Sequence, residues 1–213
     1  MSTEVEARFR ADGAQALDEL ATRTSLADAT LGPAVTVTEV DRYLDTTDGR
    51  LADARWACRL RAREGATRLS MKGPAGAQLE PWLHRRPELE GPATDEIDPA
   101  AWPPSPAHDL LDRLRAGGDL HERLRFDQER TERSVELRTR LRIGTLSLDR
   151  VRMSSADAHL GELFIVELEL DQPGGSAESE LPRLASALAA IDGLEAEPAS
   201  KLERALERFE GAR

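Results

Sequence analysis

The stretch Glu4–Arg10, "EVEARFR", alternates charged and apolar side chains at every position. Glu4, Glu6, Arg8 and Arg10 share one parity, and Val5, Ala7 and Phe9 share the other. Successive side chains of a strand point to opposite faces, so this period predicts a strand over residues 3–10. Two acids followed by two bases on one face suit bulk solvent, or a polar cavity that holds a cation beside an anion. The rest of the chain decides between them.

The chain has 213 residues, enough for one large domain or two small ones, and a formal net charge of -11. That charge argues against a nucleic-acid or anionic-membrane surface as the partner. No apolar run approaches the ~20 residues that span a bilayer, and no basic start leads into an apolar stretch. The single cysteine, Cys58, excludes an intrachain disulfide and a cysteine-based zinc site. The expectation is one cytoplasmic domain over residues 1–213, monomeric or homodimeric. Only two of the 29 basic residues are lysines, Lys72 and Lys201. In so arginine-rich a chain, a surviving lysine suggests a site that needs a compact ammonium.

Working outward, residues 12–22 read as a helix with Asp12 as its N-cap. Val35 to Leu44 reads as a strand ending at the turn "DTTDGR", where Asp41, Asp45 and Asp48 have a backbone explanation. Residues 55–64 and 67–72 read as a hairpin, and 78–90 as a further strand. A proline-rich connection carries Trp102 as a core plug. A short helix at 107–116 is followed by strands at 120–132, 133–142, 144–153 and 163–170. Helices at 176–191 and 199–209 complete the chain, and these two and 12–22 are expected on the outside of the sheet. His84, His108, His121 and His159 lack a partner pattern and read as surface residues.

The polar parities are segregated by sign. Glu-x-Glu pairs stand at 4/6, 88/90 and 167/169, whereas Arg59, Arg61 and Arg63 share a face, as do Ser70 and Lys72. Solvated faces should mix signs strand by strand. Segregation fits the inside of a closed sheet, with carboxylates for a hard cation such as Mg²⁺ or Mn²⁺ and bases for a polyphosphate.

These residues resemble a known family. "EVEAR" (4–8) is similar to the Glu-x-Glu-x-Lys signature of the CYTH domain, the triphosphate tunnel metalloenzymes, with Arg8 in place of the lysine. Further matches follow in order: "RWACRLRAR" with Arg59 and Arg61, "RLSMKGP" with Lys72, and "RRPELEGP" with Arg86, Glu88 and Glu90. "RFDQERTERSVEL" supplies Arg130, with Arg123, Arg125 and Arg133 as alternatives in register. "LSLDR" supplies Asp149, "VELEL" supplies Glu167 and Glu169, and "ASKLERAL" supplies Lys201.

The resemblance implies an α+β fold: a closed eight-stranded antiparallel β tunnel (barrel) with flanking helices. It implies Mg²⁺ or Mn²⁺ held by Glu4, Glu6, Asp149, Glu167 and Glu169, with Glu88 or Glu90 helping to hold metal or position water. Phosphate would meet Arg8, Arg59, Arg61, Lys72, Arg86, Arg130 and Lys201. Glu4, Glu6, Arg8, Lys72, Glu169 and Lys201 would carry the chemistry. The activity implied is metal-dependent hydrolysis of inorganic triphosphate or a small organic triphosphate. The alternatives are an adenylate cyclase of the same fold and a non-catalytic polyphosphate or nucleotide binder. Arg8 keeps the charge of a lysine but cannot donate a proton at neutral pH.

Overall fold

Alternation along "STEVEARFRA" makes β1 (Ser2–Ala11), whose apolar parity is fully buried. The computed structural model describes residues 2–76, 79–156 and 158–211. After β1 come helix α1 (Ala14–Thr22), a small hairpin of β2 (Ser25–Leu26) and β3 (Ala29–Leu31), and the long β4 (Val35–Thr46). A one-turn helix α2 (Arg50–Asp53) leads to β5 (Ala57–Arg63), β6 (Ala66–Lys72) and β7 (Leu83–Ala93). Next stand α3 (Pro106–Arg115), β8 (Leu120–Glu136), β9 (Arg142–Ser155) and β10 (Ala158–Leu170). Helix α4 (Gly175–Ala189), β11 (Leu194–Ala196) and α5 (Lys201–Gly211) close the chain.

Eight strands form an antiparallel barrel in the order β4-β5-β6-β7-β1-β10-β9-β8, and β8 closes it by pairing with β4. Helices α1, α3 and α4 flank it. The outward face of β1, with those of β9 and β10, packs under α1 and α4 through Phe9, Leu20, Leu146, Val166 and Leu184. Helix α3 covers β5 to β7 through Leu60, Leu69, Trp102 and Leu111. Its N-cap, Ser105, accepts from the His108 amide at 3.1 Å, worth about 1 kcal/mol. Ser105 sits so close to β7 that a Cβ on Gly91 would lie 2.1 Å from its hydroxyl.

Several expectations shift. Asp12 does not cap α1; Gly13 holds the N-cap position without a side-chain bond. The two strands expected at 120–132 and 133–142 are one strand, β8, because β9 pairs with it without a break across the expected boundary, while on the other side β3 takes over where pairing with β4 ends at Glu132. The turn falls after it, where Leu137 N donates to Leu141 O at 2.9 Å. The strand expected from residue 78 begins at Leu83, and residue 78 itself lies outside the described residues. Helix α5 is not on the outside. Its Ala205, Leu202 and Leu206 pack on Leu124, Phe126, Val151, Met153 and Ile165, which share the inward parity of Gln128, Asp149 and Glu167. The helix therefore fills one end of the barrel and leaves the charged remainder as a lumen.

Candidate active site

Strand register builds the lumen in opposed pairs. Glu6 stands opposite Glu169 and Arg8 opposite Glu167 across β1 and β10, and Glu4 opposite Arg86 across β1 and β7. Lys72 faces Glu88 across β6 and β7, and Arg130 faces Asp149 across β8 and β9. Directly opposed residues have Cβ atoms about 5 Å apart, so each pair can interact. The resulting cavity, about 170 Å³, is lined by every site residue expected from the sequence except Asp149.

Three carboxylates converge. Glu4, Glu6 and Glu169 each offer an oxygen within 4.8 Å of the others. This set of hard oxygen donors fits a divalent cation such as Mg²⁺ or Mn²⁺ in kind. Glu4 accepts from Lys72 Nζ and from Arg86 Nε, each at 2.6 Å. Burial pushes its carboxyl up, but these two cations outweigh burial and hold it well below the usual range. Burial raises Glu6 despite its ion pair with Arg8. Burial, and then the charges of Glu4 and Glu6, push Glu169 up to about 7, although the residue remains partly exposed within the lumen. A Cβ on Gly144 would lie 2.1 Å from the Glu169 carbonyl, so glycine lets β9 approach β10 closely beside this acid.

Glu167 and Asp149 stand apart from that trio. Asp149 is fully buried behind the lining, with its oxygens held by Arg130 at 2.7 Å and by Lys201. Glu167 accepts from Lys201 at 2.8 Å, Arg8 at 3.0 Å and Arg130 at 3.1 Å. For both acids the neighbouring cations overcome the upward push of burial, and both are lowered. Glu88 accepts from Ser70 at 2.7 Å and lies 3.2 Å from Lys72. Glu90 pairs with Arg68 nearer the rim, at 3.4 Å.

The basic wall has its own supports. Asp41, fully buried, takes Arg61 at 2.7 Å on each of its oxygens, Arg59 at 3.3 Å and Gln128 at 2.8 Å. It is an inward-facing residue in mid-strand, buried behind the lining, rather than a turn aspartate. Asp45 does serve the backbone, accepting from the amides of Thr46, Leu51 and Ala52. Register also separates Arg130 from its alternatives: it lines the lumen, while Arg133 holds carbonyls of Leu20, Ala21 and Leu31 on the other face. Arg125 pairs with Asp127, and Arg123 lies 3.7 Å from Asp45. Lys201 is placed by a capping box: Glu203 N donates to Ser200 Oγ at 3.1 Å, and Ser200 N to Glu203 Oε2 at 2.6 Å. His84, expected on the surface, is 7% exposed and faces Arg8.

A charged lumen inside a barrel of this strand order invites comparison with known proteins. The sequence model of the CYTH domain matches residues 2–206. The chain belongs to the CYTH family. Three solved structures share this CYTH fold. HpAC1 from Hippeastrum, described as a candidate adenylyl cyclase with a dominant triphosphatase activity, is 18% identical with a TM-score of 0.68, covering 96% of this chain and 95% of its own. A protein from Bacillus halodurans described as a candidate adenylate cyclase is 19% identical with a TM-score of 0.61, covering 96% and 98%. PH1819 from Pyrococcus horikoshii is 20% identical with a TM-score of 0.53, covering 95% and 99%. No curated protein matches the chain. Among the described residues of this CYTH domain, no helix is long and apolar enough to cross a membrane.

Proposed function

We propose that this CYTH domain is a divalent-metal-dependent triphosphatase that hydrolyses a triphosphate inside the tunnel. The observation that carries the reading is the facing of Glu4, Glu6 and Glu169 by a wall of bases within one cavity. Mg²⁺ or Mn²⁺ on the three carboxylates would supply Lewis-acid polarisation of phosphate oxygens. Arg59, Arg61, Lys72, Arg86, Arg130 and Lys201 would take the remaining phosphate oxygens, the guanidinium groups as forks and the lysines as point charges. Each base is already oriented by a carboxylate, so little reorganisation accompanies binding. Arg8, 1% exposed and held by Glu6 and Glu167, would stabilise charge without releasing a proton. Glu88, on the lumen 3.2 Å from Lys72, would orient water.

A vestibule of about 700 Å³ adjoins the lumen and shares Tyr43, Lys72, Arg86 and Leu202 with it. Trp56, Leu83 and Leu206 also line it, which favours a triphosphate carrying an organic group. Phosphate release from triphosphate, ATP, thiamine triphosphate and long-chain polyphosphate, each with Mg²⁺ and with Mn²⁺, tests both readings. Cyclic AMP measured beside phosphate separates a cyclase. Tight binding of triphosphate without release of phosphate would leave a binding module instead.

A further inference from the structure

We infer that His84 is a positioning residue that orients Arg8 and ties it to the segment Glu197–Lys201, which delivers Lys201 to the lumen. The geometry fixes the ring. His84 Nε2 lies 2.7 Å from the Glu197 carbonyl oxygen. A carbonyl only accepts, so Nε2 carries the proton, and the lone pair of a neutral ring lies on Nδ1. That atom faces Arg8 Nη1 at 3.4 Å. Burial, and then the charge of Arg8, push His84 down to about 4, so the ring is neutral at neutral pH.

Arg8 completes the tie. Its Nη1 also donates to the Ala199 carbonyl at 3.1 Å, and the Glu197 amide donates to the Arg8 carbonyl at 3.0 Å. Nε and Nη2 meanwhile hold Glu167 and Glu6. Three nitrogens of one rigid fork thus span two lumen acids and the segment before α5. A single ammonium nitrogen could not reach all of them. The segment is itself braced, because the Glu197 carboxylate takes Arg204 at 2.6 Å and the Ala199 amide at 2.9 Å. Lys201 follows two residues later and sits on Asp149 and Glu167.

The test compares wild type, His84→Gln and His84→Phe, each also with Arg8→Lys. Glutamine can accept from Arg8 and donate to Glu197, and phenylalanine can do neither. Nitrogen NMR of the ring should show a neutral Nε2–H tautomer in wild type, with the Nδ1 resonance shifting in Arg8→Lys. In Mg²⁺-dependent hydrolysis of inorganic triphosphate, His84→Phe should lower kcat/KM about tenfold, with most of the loss in kcat. His84→Gln should recover most of it, and in the Arg8→Lys background His84→Phe should cost less than about twofold. An Nδ1–H tautomer, unchanged kinetics in folded His84→Phe, or equal losses in both backgrounds would overturn the inference. If His84→Phe does not fold, a tenfold loss in His84→Gln with an unchanged Tm also overturns it. The kinetic arm rests on the triphosphatase reading. Should wild type release no phosphate from any of the four substrates named above, that reading fails, and the tautomer with its response to Arg8→Lys still decides the role of His84.

Discussion

Lys72 donates to Glu4 at 2.6 Å, so a base of the lumen wall and an acid of the carboxylate trio hold one another. Glu4→Gln removes the acid and frees both Lys72 and Arg86. Turnover should fall about 100-fold or more. Binding of triphosphate in the presence of chelator should be as tight as in wild type or tighter, as read by calorimetry.

Glu169 sits among like charges, and its carboxyl is pushed up to about 7. Its side chain is solvent-exposed, so screening leaves about 1 kcal/mol of repulsion. Glu169→Gln should therefore raise the Tm of the metal-free protein at pH 8 by about 2–4 °C. The same variant should lose the additional Tm increase that Mn²⁺ gives wild type.

Asp41 is the buried partner of Arg59 and Arg61. Asp41→Ala leaves those guanidinium groups without their carboxylate and should cost about 3–5 kcal/mol in urea denaturation. Wild-type stability in that variant would show that Glu39, 3.3 Å from Arg61, carries the wall alone.

The proton balance of His84 gives a pH dependence. Its folded-state value, about 4, lies below the ordinary 6.5. Between those values the unfolded chain binds the extra proton, so the contribution is complete above pH 6.5 and is lost as pH falls toward 4. Wild type should lose about 2 kcal/mol between pH 7 and pH 4.5 relative to His84→Gln. Paired denaturation curves at pH 4.5 and 7 measure the difference.

Trp56 lines the vestibule. Trp56→Ala should raise KM for an organic triphosphate about tenfold and leave inorganic triphosphate within twofold. Equal effects on the two substrates would remove the vestibule from recognition.

Most of the barrel is legible in the sequence because period two places whole faces at once. The Glu-x-Glu pairs and the paired arginines declare their parity without any knowledge of their partners. Asp41 and His84 carry the same signal. Asp41 shares parity with Glu39 and Tyr43, and His84 with Arg86 and Glu88. Two ordinary explanations mask it. Asp41 precedes a turn rich in aspartate, and His84 has no partner pattern in the sequence, so it reads as a surface residue. The sequence "SKLE" at 200–203 is a readable capping box that places Lys201. What period and spacing cannot carry is closure. That β8 runs unbroken along β9, or that α5 enters the barrel, depends on contacts far apart in the chain. The split between Glu4, Glu6 and Glu169 on one side and Asp149 and Glu167 on the other likewise emerges only with register.

The bond from Arg8 to the Ala199 carbonyl joins residues 191 positions apart. Strand β1 is made before β7, β10 and β11, its three partners in this domain. Loop closure of that length is slow, and the lumen cannot form until the last helix has been translated. Synthesis thus withholds the charged cavity from a partly made domain and leaves β1 without its partners for most of translation, which makes its apolar face the natural target for chaperones.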